Sequence, residues 1–244
     1  MPIALNTSAD LGNNNGSMNP WTVSYTVGSG SRRLLVVVFL GNNITGADDI
    51  TSVRYAGTAM TLAAKQVYTG ATYPTANRFL YFYYLLNPAS GANNVVFTST
   101  PTHYFLALAA DYTGVGSFDH AATAFRAVTP GSGAAVTTNV TVTSANSWVM
   151  SVDSGVATAG AAGLDYILST NLTRQVYAAA YHEPIYWDSN GTVPRGTFAA
   201  DRHWASGQPQ ANLDLAVISA SFAPAGLIED EYDRFDPKNW EVAA

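Results

Sequence analysis

The sequence contains no cysteine, which excludes disulfide bonds and thiolate metal sites. Charged residues are also scarce, because they make up only 11% of the 244 residues, less than half of the quarter that is usual in soluble proteins. The net charge is −6, and Lys65 and Lys238 are the only lysines. Because binding to a phosphate backbone needs a basic face, we expect no nucleic-acid partner.

Long hydrophobic runs are missing as well. No apolar run approaches the roughly 20 residues that a membrane-spanning helix needs, so we expect no membrane insertion. The segment Met1–Asn6 has neither the basic region nor the long apolar region of a signal peptide. We therefore expect a soluble protein made in the cytoplasm, where the absence of cysteine fits the reducing conditions.

Hydrophobic residues make up 48% of the chain, enough for a large core. The most apolar run, Arg33–Leu40, is short, rich in β-branched residues and followed by turn residues. It therefore predicts a strand that is buried on both faces. Residues 78–86 predict an aromatic strand whose two faces belong to the core or to a subunit interface. The alternative is that its tyrosine-bearing face is a platform that stacks on sugars.

Further apolar or alternating segments recur along the chain between turn residues, and no segment keeps a helical period. This pattern predicts an all-β fold, an antiparallel β-sandwich of jelly-roll type. We find no internal repeat with a period of 20–50 residues. The predicted organisation is an N-terminal arm over residues 1–20, a β-sandwich domain over 21–225 and a C-terminal docking arm over 226–244.

The C-terminal arm is acidic, with six acidic and two basic residues from Glu229 onward, a net charge of −4. Apolar and aromatic residues are spaced through it like anchors, which favours docking on another chain over solvation. An arm that folds back on its own sandwich, or a disordered end, is the alternative. The predicted docking residues are Leu227, Ile228, Glu229, Asp230, Glu231, Tyr232, Asp233, Phe235 and Trp240.

Signals for catalysis or metal binding are weak. Histidines and carboxylates occur between residues 182 and 203, but their spacing matches no metal motif. The segment Gly41–Asp49 lacks both the acid pattern of a calcium loop and the lysine of a phosphate loop. Candidate catalytic acids are scattered, and there is no Gly-x-Ser-x-Gly motif. We therefore predict no metal, no cofactor and no enzymatic activity.

Aromatic residues in predicted loops suggest a different role, because exposed rings can stack on sugars while neighbouring polar groups bind hydroxyls. This interpretation requires that the rings be exposed. The possible glycan-binding residues are Tyr73, Tyr186, Trp187, Asp188, Asp201, His203 and Trp204.

Several strand and turn segments also support a resemblance. They are Arg33–Val38, Ile50–Leu62, Tyr83–Gly91, Val95–Phe97 and Tyr112–Val115. Together they resemble a β-sandwich domain that recurs in bacteriophage virion proteins and in uncharacterised bacterial proteins, over roughly residues 20–220. The resemblance implies a structural or host-recognition role in a phage and provides no catalytic residues. The acidic arm lies outside it.

These observations lead to one principal expectation. The chain is expected to be a non-enzymatic virion component, an accessory or decoration-type protein that is assembled in the host cytoplasm. It would form homo-oligomers and attach to other virion proteins of the capsid or tail. The alternative is a tail adhesin module that binds a host surface glycan.

Overall fold

A computed structural model describes residues 1–14, 16, 19–43, 50–69, 77–100, 104–126, 135–157, 167–177, 184–204 and 213–226. The secondary structure of these residues is entirely β, so none of them forms a helix that is long and apolar enough to cross a membrane. The strands are β1 (Ala4–Asn13), β2 (Trp21–Val27), β3 (Leu34–Asn43), β4 (Ile50–Tyr55), β5 (Thr58–Ala59), β6 (Thr61–Thr69), β7 (Asn77–Leu86), β8 (Gly91–Ser99), β9 (Tyr104–Thr113), β10 (Val115–Arg126), β11 (Ala135–Val142), β12 (Trp148–Ala157), β13 (Ile167–Leu168), β14 (Thr173–Tyr177), β15 (Ile185–Asp188), β16 (Gly196–Trp204) and β17 (Leu213–Pro224).

The strands form four antiparallel sheets. Strands β1-β9-β3-β7-β6 form the inner N sheet, and β2-β8-β4-β5 form the outer N sheet. Strands β10-β17-β12-β15-β14 form the inner C sheet, and β11-β16-β13 form the outer C sheet. The N sheets use only residues 4–113 and the C sheets only residues 115–224. The predicted all-β, antiparallel architecture is confirmed.

Three hydrophobic cores hold the four sheets in one stack. One core lies between the two N sheets, which form the N-terminal sandwich, and another lies between the two C sheets, which form the C-terminal sandwich. The third and largest core joins the inner N sheet to the inner C sheet. The inner sheets are therefore covered on both faces, whereas each outer sheet is covered on one.

Strand β3 shows why the inner N sheet occupies this position. It pairs with β7 on one side and β9 on the other, at the centre of its sheet. Leu34, Val36 and Val38 point into the core shared with the inner C sheet, whereas Leu35 and Val37 point into the core of the N-terminal sandwich. The prediction that Arg33–Leu40 is buried on both faces is confirmed for the residues of β3.

The aromatic strand β7 follows the same rule. Phe79, Tyr81 and Tyr83 are buried in the core of the N-terminal sandwich, and Leu80 and Phe82 are buried in the core between the sandwiches. Because a strand places alternate side chains on opposite faces, ten consecutive residues can serve two cores at once.

The two sandwiches have the same topology. The inner sheets have matching strand orders, with β10, β17, β12, β15 and β14 in the places of β1, β9, β3, β7 and β6. In the outer sheets β11, β16 and β13 match β2, β8 and β4. The cross-strand registers also agree: Val27 pairs with Gly91 as Val142 pairs with Gly196. The molecule is thus a structural duplication of one sandwich.

Contacts between the two sandwiches obey an approximate two-fold symmetry. Leu34 pairs with Tyr112 as Trp148 pairs with Phe222, which makes Tyr112 and Phe222 equivalent. The Tyr112 hydroxyl lies 2.9 Å from that of Tyr186, and the equivalent rings of Phe222 and Phe82 have centroids 6.4 Å apart. When two residues are in contact and their two equivalents are in contact as well, the interface is isologous, as in a two-fold symmetric dimer.

The sequence interpretation differs from this structure at two boundaries. Within the predicted N-terminal arm, Ala4–Asn13 form β1, an edge strand paired with β9; its polar composition suits the edge of a sheet. The single sandwich predicted over residues 21–225 is two stacked sandwiches joined at Gly114. The predicted arm beyond Gly226 lies outside the described residues.

Candidate functional site

The first and last described residues meet at one end of the stack, here called the terminal end. The Met1 ammonium donates a hydrogen bond to the Ala225 carbonyl oxygen at 3.3 Å. The Ala225 amide donates to Gly114 at 2.8 Å, and the Val115 amide donates to the Arg32 carbonyl oxygen at 2.9 Å. The terminal end therefore brings together the first and last described residues and the junction between the sandwiches.

A cavity opens at the terminal end. Its volume is about 460 Å³, and it is mostly apolar. Its walls are Met1, Pro2, Pro224, Ala225 and Gly226, with Asn146 and Thr192 at its polar side. This volume is in the range of small-molecule and side-chain binding pockets. We call it the terminal cavity.

Two exposed arginines adjoin residues of the terminal end in the chain. Arg32 follows Ser31, whose hydroxyl contacts the Met1 sulfur at 3.6 Å. Arg195 comes two residues after Val193, which bridges to Ser147 at the same end. Both arginines are exposed, and the Met1 ammonium adds a third cationic group.

The carboxylates at the terminal end have internal partners. Asp111 is buried and accepts hydrogen bonds from Asn6, Tyr25 and the Gly28 amide. Asp119 accepts hydrogen bonds from the amide and the hydroxyl of Thr143. The described charged groups at this end are therefore Arg32, Arg195, the Met1 ammonium, the buried Asp111 and the partly buried Asp119.

The nine predicted docking residues, from Leu227 to Trp240, lie outside the described residues. Gly226, the last described residue, is exposed and lines the terminal cavity.

Two of the predicted glycan-binding residues lie in the interface between the sandwiches. Tyr186 and Asp188 are buried on the same face of β15. The Tyr112 hydroxyl donates to Asp188 Oδ2 at 2.8 Å, and Gln175 and the Asn190 amide donate to Asp188 Oδ1. Burial raises the pKa of Asp188 above its ordinary value, although these hydrogen bonds oppose the rise. The expectation that Tyr186 lies exposed in a loop is wrong.

Trp187 occupies the opposite face of β15, inside the core of the C-terminal sandwich, so its expected exposure is also wrong. The Arg202 guanidinium lies over the indole, with 4.6 Å from Cζ to the ring centroid. Arg202 Nε donates to Asp153 Oδ1 at 2.6 Å, and both side chains are fully buried. Burial raises the pKa of Asp153 and lowers that of Arg202, while their attraction opposes both shifts.

This buried ion pair has an aromatic counterpart in the N-terminal sandwich. Asp153 lies five residues after Trp148, and Phe39 lies five residues after the equivalent Leu34. Arg202 lies six residues after Gly196, and Phe97 lies six residues after the equivalent Gly91. Asp153 and Arg202 therefore occupy the positions of Phe39 and Phe97. Sequence reasoning missed the pair because its two members are far apart in the chain. The sequence offered no signal except the single charged residue of β12, because Arg202 stands between Asp201 and His203 in a polar part of β16.

The equivalent Phe39 and Phe97 rings pack edge to face, with centroids 5.2 Å apart. The aromatic pair fills the core by burial alone. The ion pair has to offset the loss of hydration of two charges, and the buried Arg202 Nη2 has no hydrogen-bond partner among the described residues.

Asp201 and His203 are the predicted glycan-binding residues that stay partly exposed, on the outer C sheet. Their side chains are 23% and 36% exposed, and His203 Nδ1 lies 3.2 Å from Asp201 Oδ2. Partial burial raises the pKa of Asp201, but hydrogen bonds from Thr170, Ser169 and His203 outweigh this effect and lower the pKa below its ordinary value. Asp201 thus fixes the turn that follows β13.

The remaining predictions cannot be compared with the structure in full. Tyr73, the segment 44–49 and residues 182–183 lie outside the described residues. The backbone of Trp204 ends β16 and pairs with Ile167. The described part of the chain contains no group of three or more histidines, aspartates or glutamates arranged to hold a metal ion.

No protein-family model, curated protein or solved structure matches this chain. The function therefore has to be argued from the geometry of the molecule and the chemistry of its residues.

Proposed function

We propose that the protein is a non-enzymatic structural component of a bacteriophage virion, an accessory or decoration-type protein that self-assembles and attaches to the capsid or tail. The observation that carries the proposal is a pair of equivalent outer faces, one on each side of the stack, whose first strands expose hydroxyl side chains. Thr22, Ser24 and Thr26 are exposed on β2, and Thr137 and Thr141 are exposed on the equivalent strand β11.

Such faces suit packing against other proteins. Hydroxyl groups supply hydrogen bonds without the cost of burying charge, and charged residues are depleted in the centres of protein interfaces. Two equivalent faces on opposite sides of one molecule supply two contacts per copy, as an assembling shell or tube requires.

We further propose that each sandwich is a jelly roll. Strands β1, β3, β7 and β9 lie in one sheet of the N-terminal sandwich and β2, β4, β5 and β8 in the other. This alternation along the chain is what two interlocked Greek keys produce, and jelly rolls are common in viral capsid proteins. The C-terminal sandwich repeats the alternation.

The roles of the described buried carboxylates support a structural rather than a catalytic function. Asp111 ties β2 to β9, Asp153 pairs with Arg202, and Asp188 receives the Tyr112 hydroxyl across the interface between the sandwiches. Each of these groups binds neighbouring elements together. In the proposed role, Tyr232, Phe235 and Trp240 of the C-terminal segment anchor the protein to its partner.

The glycan-binding alternative has less support. It needs exposed aromatic rings, yet Tyr186 and Trp187 are buried. Among the described residues it retains Asp201 and His203, whose hydrogen bonds serve the turn after β13. The virion proposal is therefore preferred.

A sedimentation experiment tests the proposal. Particles purified from producing cells, stripped of this protein, are mixed with the full chain or with a variant that ends at Gly226. We expect the full chain to sediment with the particles at a fixed ratio and the shortened variant to remain in solution. Sedimentation of neither protein, with particles confirmed intact by microscopy, would contradict the proposal.

A further inference from the structure

The terminal cavity raises the question of what covers it. Its mostly apolar walls include Met1, Pro2 and Ala225, and an apolar side chain that fills such a pocket is stabilised by the apolar area that it removes from water. Gly226 is part of its wall and is the last described residue. The next residues in the chain are Leu227 and Ile228.

The acidic residues of the C-terminal segment and the cationic groups of the terminal end have opposite charges. Glu229, Asp230 and Glu231 follow directly after the two aliphatic residues. The exposed arginines Arg32 and Arg195 lie at the terminal end, and the Met1 ammonium lies at the cavity. Opposite charges on adjoining segments favour contact and suppress competing arrangements.

We propose that Leu227 and Ile228 of the chain's own C-terminal segment occupy the terminal cavity, with Glu229–Glu231 against the surrounding cations. Tyr232, Phe235 and Trp240 are then held away from the sandwich, where they can reach a partner. This inference rests on the proposed attachment role of the segment, although the contact is intramolecular and can be tested without a partner.

The connection to Gly226 favours the molecule's own segment over that of a second copy. Two residues of chain span at most about 7 Å, so Leu227 and Ile228 cannot leave the neighbourhood of the cavity. A short tether also gives an effective concentration in the millimolar range, which a second copy has to exceed.

A disulfide trap tests the inference in the full chain, which has no native cysteine. The variant Thr192→Cys/Ile228→Cys places one thiol at the polar side of the cavity and one in the segment. We expect mild oxidation to give an intramolecular disulfide. The matched control Arg126→Cys/Ile228→Cys, whose first thiol lies at the other end of β10, should give none.

Removing charges from the segment distinguishes docking in the cavity from a disulfide that forms only because the two cysteines are close together. Adding Glu229→Gln, Asp230→Asn and Glu231→Gln to the trap should slow disulfide formation roughly tenfold, as should about 0.5 M salt, because the attraction to the cations is lost or screened. Adding Glu241→Gln instead should leave the rate almost unchanged. Urea denaturation of each variant checks that its stability matches that of the parent chain.

Three results would overturn the inference. They are absence of the intramolecular disulfide, a rate that ignores both salt and the three neutralising substitutions, or a disulfide that joins two copies and disappears on dilution. The last result would assign the cavity to the segment of a second copy. A positive trap with no attachment to particles would leave this inference standing and remove only the virion proposal.

Discussion

At the residue scale, the duplication makes the N-terminal sandwich an internal reference for the C-terminal one. Phe39 and Phe97 fill their core with two rings, whereas Asp153 and Arg202 place an ion pair at the equivalent positions. Buried ion pairs are often no more stabilising than apolar residues, but half of a pair is costly. This contrast leads to a specific mutational prediction.

Arg202→Met alone should lower the free energy of unfolding by about 3–5 kcal/mol, because the Asp153 carboxylate is left buried and unpaired. The double variant Asp153→Val/Arg202→Met should recover most of that loss, because no charge remains in the core. Urea denaturation of the wild type, both single variants and the double variant measures the coupling. Additive losses in the double variant would contradict this account.

The Tyr112 hydroxyl is the second residue-scale test. It donates to Asp188 and contacts the Tyr186 hydroxyl across the interface, whereas the equivalent residue, Phe222, has no hydroxyl. Tyr112→Phe should therefore cost about 1–3 kcal/mol, since Asp188 loses a donor in a buried site. Tyr177→Phe, at a partly exposed ring, is the control and should be nearly neutral in the same denaturation assay.

The raised pKa of Asp188 predicts a pH dependence. The folded state holds this proton more tightly than the unfolded chain, whose aspartates titrate near pH 3.9. Stability from this group is therefore present below the unfolded pKa and is lost as the pH rises through the folded pKa. When the free energy of unfolding is measured at increasing pH from about pH 3, it should decrease less steeply for Asp188→Asn than for the wild type. An unchanged slope would show that Asp188 does not titrate differently on folding.

At the element scale, burial decides which strands the sequence reveals. Strands β3 and β7 are predictable because both of their faces are buried, which requires unbroken apolar runs. Strand β11 is predictable for a different reason, since its residues alternate strictly between exposed and buried. The edge strand β1 is not predictable in this way, because small and polar residues on an edge carry no period.

The candidate site shows the same limit. Tyr186 and Trp187 are polar-tipped aromatics followed by turn residues, which is typical of an exposed loop as well as of a buried strand. The pairing of Asp153 with Arg202 depends on a cross-sheet contact, which no local pattern encodes. The terminal cavity likewise needs residues from both ends of the described chain.

The junction between the sandwiches supplies the element-scale prediction. Gly114 has a φ of +75°, and a Cβ at this position would lie 2.0 Å from the Pro2 carbonyl oxygen. Gly57 has a similar φ of +79°, but a Cβ there would meet nothing within 4 Å. Gly57→Ala should therefore cost about 1–2 kcal/mol from backbone strain alone. Gly114→Ala should cost more than about 3 kcal/mol, because the start of the chain must also be displaced.

Thermal and urea denaturation of the two alanine variants provide the comparison. Equal losses would mean that the contact between Gly114 and Pro2 does not hold the first residues against the junction. In that case the terminal cavity would lose one of its walls as a defined surface.

At the scale of the whole molecule, the sequence predicts one sandwich and the structure contains two. The duplication escapes a search for short repeats because β1 begins at Ala4 and its counterpart β10 at Val115. Equivalent positions have also diverged, as Phe39 and Asp153 show. What survives is the strand order and the register, which are properties of the fold and not of the residue types.

The duplicated stack fixes where the outer faces lie relative to the terminal end. The two equivalent outer faces lie on opposite sides, and the first and last described residues lie with the terminal cavity at one end. A molecule built in this way can pack sideways against its own copies while its C-terminal segment reaches a different protein. The proposed virion role depends on this division of surfaces.

Cryo-electron microscopy of purified particles tests that role most directly. At subnanometre resolution we expect repeated four-layered density on the capsid or tail, with the outer faces against neighbouring copies and the terminal end toward the particle. Particles that lack this density while the protein remains in the soluble fraction, or density attached through the opposite end of the stack, would contradict the account.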